Sequence, residues 1–191
     1  MNVVDLDRLP SNYPTHLHTA EFWEALGRAV ATFGFLENVL GRAIFAFNAT
    51  RQYSNSEIED AYKKWLPTLE HALSDALGGL VSGYEKAMRE NQNAASIDTV
   101  KLLKDLREAS RLRNVICHGS WQKPDTNGRS LPKFVSTKME VFDTPIDLAW
   151  LVQIQRHVAE LACVVVSSVT VMGWQFPGSK SPGSAIFYLP N

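Results

Sequence analysis

The sequence predicts an all-α fold: an up-and-down helical bundle of four to five helices, with a small β-hairpin insertion before the last long helix. Three observations carry this expectation. Apolar residues recur by threes and fours over long stretches, the spacing of one buried helix face. Residues that start and stop helices flank those stretches. The period changes only over about residues 119–142, where short extended runs bracket Asn127-Gly128, a dipeptide suited to a tight hairpin turn.

The first helix is expected from Ala20 to Asn48, with Thr19 as its N-cap and Glu21 and Glu24 in the first turn. Phe22, Leu26, Ala29, Phe33, Leu36, Leu40, Ile44 and Phe47 form its apolar seam. Gly27, Gly34 and Gly41 repeat every seven residues on a neighbouring face. Each glycine costs a helix about 1 kcal/mol against alanine. Three in register suggest that another backbone passes close by, with coincidence as the alternative.

A capping box, Ser56-x-x-Glu59, opens the second helical pattern, and Pro67 starts a fresh helix inside it. Leu69, Leu73, Ala76, Leu80, Tyr84 and Met88 then line one face, and Gly78, Gly79 and Gly83 suggest a kink or break. After a polar connection over Asn91–Ala95, a third helix is expected from beyond Ser96 to Cys117 or His118. Ile97, Val100, Leu103, Leu106, Ser110 and Val115 lie on its inner side, and Gly119 serves as a left-handed stop.

Ser120-Trp121-Gln122 and Lys133-Phe134-Val135-Ser136 read as the hairpin strands, which Met139 to Phe142 extend. Thr144-Pro145 reads as the cap and first residue of the last helix, whose apolar positions include Leu148, Leu151, Val158, Leu161, Val165, Val169 and Met172. The organisation expected is an irregular N-terminal segment (1–18), a bundle domain (19–172) and a C-terminal tail (173–191). The tail carries Trp174, Phe176, Ile186, Phe187, Tyr188 and Leu189. So many large apolar groups call for docking, on this domain or on a partner.

Composition narrows the function classes. The 191 residues suit one domain, and 45% apolar with 20% charged residues is ordinary for a globular protein. Net charge is −1, so contact with a nucleic acid has to come from a local patch. Cys117 and Cys163 lie in apolar helical surroundings; two buried thiols fit a reducing cytoplasm and argue against a disulfide scaffold. The N-terminus has no apolar core for a signal peptide, and the run Leu161–Trp174 is too short to span a bilayer, so a cytoplasmic protein without membrane contact is expected. His16, His18 and His71 lack the spacing of a metal set, and no phosphate loop, dinucleotide fingerprint or nucleophile elbow occurs. No cofactor is expected.

Arg113-Asn114-Val115-Ile116-Cys117-His118-Gly119 is the stretch that carries chemistry. A guanidinium offers a fixed fork of donors to a phosphate, and an imidazole exchanges a proton near neutral pH. Asn114 adds an amide between them. On a helix, Arg107, Arg111, Asn114 and His118 share one polar face, with Arg113 five residues before the histidine. For Arg107 and Arg111 a solvated basic face is the favoured reading, with a supporting role as the alternative. Glu37 lies on the first helix between Gly34 and Gly41, where it is either an exposed residue beside the seam or a carboxylate that pairs with and orients Arg113. Cys117 is expected on the core side, as a small buried thiol rather than a nucleophile.

Arg113-Asn114-x-x-x-His118 resembles the R-x4–6-H motif of the HEPN superfamily, including the polar residue that commonly follows the arginine. Arg111 offers an x6 register to the same histidine; the polar Asn114 favours Arg113. The resemblance extends to the helix order over most of Ala20 to Met172. It implies a metal-independent endoribonuclease of the kind found in toxin–antitoxin, phage-defence and related systems. RNA would be the substrate, a homodimer the assembly, and a cognate antitoxin or other operon partner a regulator. The family also includes catalytically silent modules, so the alternative implied is a nucleotide- or RNA-binding or protein-interaction module. On the enzyme reading the catalytic residues are Arg113, Asn114 and His118, with Glu37, Arg111 and Arg107 supporting and no metal.

Overall fold

A computed structural model of the chain describes residues 5–54, 63, 76–94, 99–136 and 139–186. Four α-helices form a bundle within those residues: α1 (Ala20–Thr50), α2 (Leu77–Glu90), α3 (Val100–His118) and α4 (Leu148–Thr170). Between α3 and α4 a small antiparallel hairpin pairs β1 (Ser120–Trp121) with β2 (Pro132–Lys133). The helical bundle with its hairpin insertion is therefore the architecture that the periodicity predicts.

Helix α1 is the axis of the fold. Its seam is buried as spaced, with Ala29, Leu36, Leu40 and Phe47 sealed from solvent. It packs most extensively on α4 and next on α2. Thr19 caps it, its hydroxyl accepting from the Phe22 N–H at 3.4 Å. Ile44 of α1 meets Gly83 of α2, and Arg51 beyond α1 pairs with Glu90 at the end of α2, so the two helices run in the same direction. Gly78 lies beside Ser110 and Glu85 beside Arg107, so α3 returns antiparallel to α2. Tyr84 ties the far side together, its buried hydroxyl donating to Ser168 of α4 at 2.7 Å while Ser168 donates to the Val165 carbonyl. Burial pushes the Tyr84 phenol up to about 12, against a smaller opposing effect of the Ser168 contact.

Helices α1 and α4 are each long and apolar enough, by length and composition, to cross a bilayer. The run Leu161–Trp174, too short for a span by itself, overlaps the second half of α4, which has 23 residues. In the bundle the apolar sides of the two helices are packed against one another.

Several local expectations are corrected. The last helix starts at Leu148 with Asp147 as N-cap, its carboxylate accepting from the Trp150 N–H at 2.8 Å. Thr144-Pro145 does not start it, because Ile146 is buried and held extended by two 2.8 Å backbone bonds to Ser130. The stripe through Ala76 is interrupted at that residue: Ala76 is extended, with φ −63° and ψ 153°, and α2 starts at Leu77. The break falls just before Gly78 and Gly79, while Gly83 leaves the helix intact and allows close packing on Ile44. Val100 begins α3 and is 80% exposed, so it lies outside the inner stripe. Cys117 and Cys163 are both exposed, which removes the argument from buried thiols. The expected features at Ser56, Glu59, Pro67, Leu69, Leu73, Ser96, Ile97, Phe187, Tyr188 and Leu189 lie outside the described residues.

Both flanks are tied down. His18 stacks on Phe22 at 4.4 Å and meets Trp23 and Trp121 edge-on, which fixes the N-terminal segment against the start of α1. The tail docks through buried Phe176 and through Arg42 of α1, which donates to the Pro177 carbonyl at 3.4 Å, while a parallel bridge between Trp174 and Ser184 folds the tail back on itself.

Candidate active site

The candidate site forms where the end of α3 crosses α1. Arg113 and Glu37 are brought together from sequence positions 76 apart, with Arg113 Nε 3.4 Å from Glu37 Oε1 and each side chain 25% exposed. Of the two readings of Glu37, the paired one is therefore what the fold adopts. The pair is a charge contact without hydrogen-bond geometry, and Oε1 is buried with no donor aimed at it. A carboxylate in this position anchors the guanidinium by attraction and leaves most of its fork of donors uncommitted.

His118 is the last residue of α3 and is exposed. Arg113 Nη1 lies 3.4 Å from His118 Nε2. A guanidinium only donates, so the contact calls for the imidazole tautomer with its proton on Nδ1 and a lone pair on Nε2. Arg113, and not Arg111, is thus the arginine beside the histidine. Asn114 follows Arg113 on the helix and is half-buried, and its side chain makes no hydrogen bond among the described residues. One acid, one cation and one imidazole converge at an open helix end.

Arg107 and Arg111 stand apart from this group. Arg107 donates to Glu85 of α2 at 2.6 Å. Arg111 is forked onto Glu108 at 2.7–3.2 Å and lies over the Phe142 ring. The bond to Glu108, above all, raises the Arg111 guanidinium further above its ordinary value. Both arginines therefore brace the outer surface of α3.

Cys117 lies about one helical turn beyond Arg113. Partial desolvation pushes its thiol up, Arg113 pulls it down by a smaller amount and Glu37 adds to the rise. A thiol shifted upward is a poor nucleophile at neutral pH, so its exposure does not bring it into the chemistry. Among the described residues, no three His, Cys, Asp or Glu side chains gather into a metal-ligating group.

The hairpin supplies residues that the sequence reading did not place at the site. Gly119 is extended, with φ −68° and ψ 138°, not left-handed. A Cβ there would lie 2.5 Å from the Val115 carbonyl oxygen and 2.7 Å from Pro132 Cβ. The glycine is needed because a side chain would meet both the last turn of its own helix and β2, which presses against the helix end, a tertiary contact that a local stop signal does not reveal. The same contact fixes Lys133 beside the exit from His118, opposite Ser120 in the ladder.

Compared with models of known families, with curated proteins and with solved structures, the chain gives no match. The resemblance to HEPN domains therefore rests on Arg113, Asn114, His118 and the helical bundle.

Proposed function

We propose that this chain is a metal-independent endoribonuclease of the HEPN type. The observation that carries the reading is the convergence of Arg113 on both His118 and Glu37 at an exposed helix end. In the proposed reaction, His118 Nε2 takes the proton of an RNA 2′-hydroxyl, whose oxygen attacks the adjacent phosphorus. The bond to the 5′-oxygen breaks, that oxygen takes up a proton, and a 2′,3′-cyclic phosphate remains. Arg113 turns its free donors to the charge growing on the phosphoryl oxygens. Asn114 orients substrate or imidazole, and Glu37 holds the guanidinium in place.

Cleavage of a mixed RNA is expected to continue in EDTA, to spare DNA, and to leave cyclic or 3′-phosphate ends. Arg113→Lys is expected to lower the rate by about a hundredfold, because an ammonium keeps the charge but loses the planar fork. Specific, EDTA-insensitive binding of RNA without any cleavage would instead select the non-catalytic binding module.

A homodimer belongs to the proposal, since one histidine does not readily act as both base and acid in a single turnover. The surface of α1 supports it. Among the described residues, a Cβ on Gly27 or Gly34 would meet nothing within 4 Å, so no described backbone accounts for those glycines. Val30 and Phe35 between and beside them are 41% and 55% exposed. A second copy on this face would explain both facts and set a second His118 in the assembly. Sedimentation at micromolar concentration is expected to give a dimer that Gly34→Arg dissociates; a monomeric wild-type protein would remove the shared-cleft arrangement.

A further inference from the structure

The three arginines of α3 bring little surplus charge to the site. Arg107 is matched by Glu85, Arg111 by Glu108 and Arg113 by Glu37. A single-stranded RNA carries a phosphate at every nucleotide, and holding it requires cations beyond the one at the reacting phosphorus. Lys133 is exposed, and no acid among the described residues pairs with it.

Two independent contacts fix its place. In the β1–β2 ladder it is the direct partner of Ser120, two residues after His118. Directly paired residues have their Cβ atoms about 5 Å apart. Its neighbour Pro132 is pressed against Gly119, the residue that follows His118. The opposite face of the hairpin is anchored, for Trp121 packs edge-on against Phe22 at 5.2 Å and Pro132 is buried. Strand alternation then leaves Ser120 and Lys133 on the open face.

We propose that Lys133 is a further substrate-binding residue, whose ammonium holds an RNA phosphate flanking the bond cut at His118. The proposal rests on the endoribonuclease reading above and adds to it the surface along which the strand leaves the site. A lysine on a short edge strand also discourages strand-to-strand association. That role predicts no effect on RNA affinity, so the two are separable.

The test uses the full chain and a labelled oligoribonucleotide with 2′-O-methyl groups throughout, which can bind but not be cut. Affinity is measured against salt for the wild type, Lys133→Gln, Lys133→Arg and, as a control on the far part of the hairpin, Lys123→Gln. Lys133→Gln is expected to weaken binding about two- to fivefold at low salt. It is also expected to flatten the slope of log affinity against log salt by about 0.7, one phosphate contact on a single strand. Lys133→Arg should stay near the wild type, and cleavage of unmodified RNA by Lys133→Gln should lose in KM with kcat held. Wild-type affinity and slope in Lys133→Gln, with cleavage intact, would overturn the role of Lys133 while the nuclease reading stands. Equal losses in Lys133→Gln and Lys123→Gln would overturn it too, as general charge rather than position would be responsible. A wild-type chain that neither binds the methylated strand nor cuts RNA would end both readings.

Discussion

RNA cleavage is expected to fall by about a hundred- to ten-thousandfold when His118 is replaced by alanine, the range typical of losing a positioned acid–base group. The argument is one of substitution. Arg113 cannot replace the base, because a guanidinium stays protonated across the working pH range and only donates. Glu37 is held toward Arg113 and has a buried oxygen, so it is not presented to substrate. Cys117 has its thiol pushed up, which leaves little thiolate at neutral pH. No neighbouring side chain can therefore take over the proton. His118 is exposed at the end of its helix, so the substitution should change stability by no more than about 0.5 kcal/mol. A normal denaturation curve with cleavage lost is the expected pair of results. Full-rate cleavage by His118→Ala, measured on protein free of contaminating nuclease, would remove the enzyme reading.

How far the sequence discloses this site depends on the range of the interactions involved. Thr19 and the seam of α1 are legible because a cap and a helical period are local properties, decided within a few residues. Arg113, Asn114 and His118 are legible for the same reason, since six consecutive helical residues fix their separation. Glu37 could be read only as a choice between exposure and pairing, because the crossing of α1 and α3 decides it. Asp147 and not Thr144 caps the last helix for a tertiary reason: the bridge from Ile146 to Ser130 keeps the chain extended past Pro145. The hairpin lysine had no local signal at all. Lys133 becomes a candidate only once β2 is known to lie against Gly119. The same is true in reverse of the α1 glycines, whose seven-residue spacing suggests a close neighbour that no described residue supplies at Gly27 or Gly34.

Gly119→Ala is expected to destabilise the protein by about 3 kcal/mol, the upper part of the range for forcing atoms into a filled space, or roughly 6–12 °C in melting temperature. The new methyl would lie 2.5 Å from the Val115 carbonyl oxygen and 2.7 Å from Pro132 Cβ, so either the helix end or β2 must move. Neither can yield cheaply. The Val115 carbonyl already accepts the Gly119 N–H at 2.9 Å, and Pro132 is buried within the two-residue ladder. Gly119→Asn distinguishes this cause from a left-handed helix stop. Asparagine is tolerated in left-handed caps and would be nearly harmless there; against a close approach it should cost at least as much as alanine. Activity should fall with stability in either variant, because relief of the clash displaces His118 on one side or Lys133 on the other. Urea denaturation of the two variants beside the wild type reads the first effect, and cleavage at a temperature where all three remain folded reads the second. A Gly119→Ala protein of wild-type stability would mean that β2 does not press on the helix end, and with it would go the argument that fixes Lys133 beside His118.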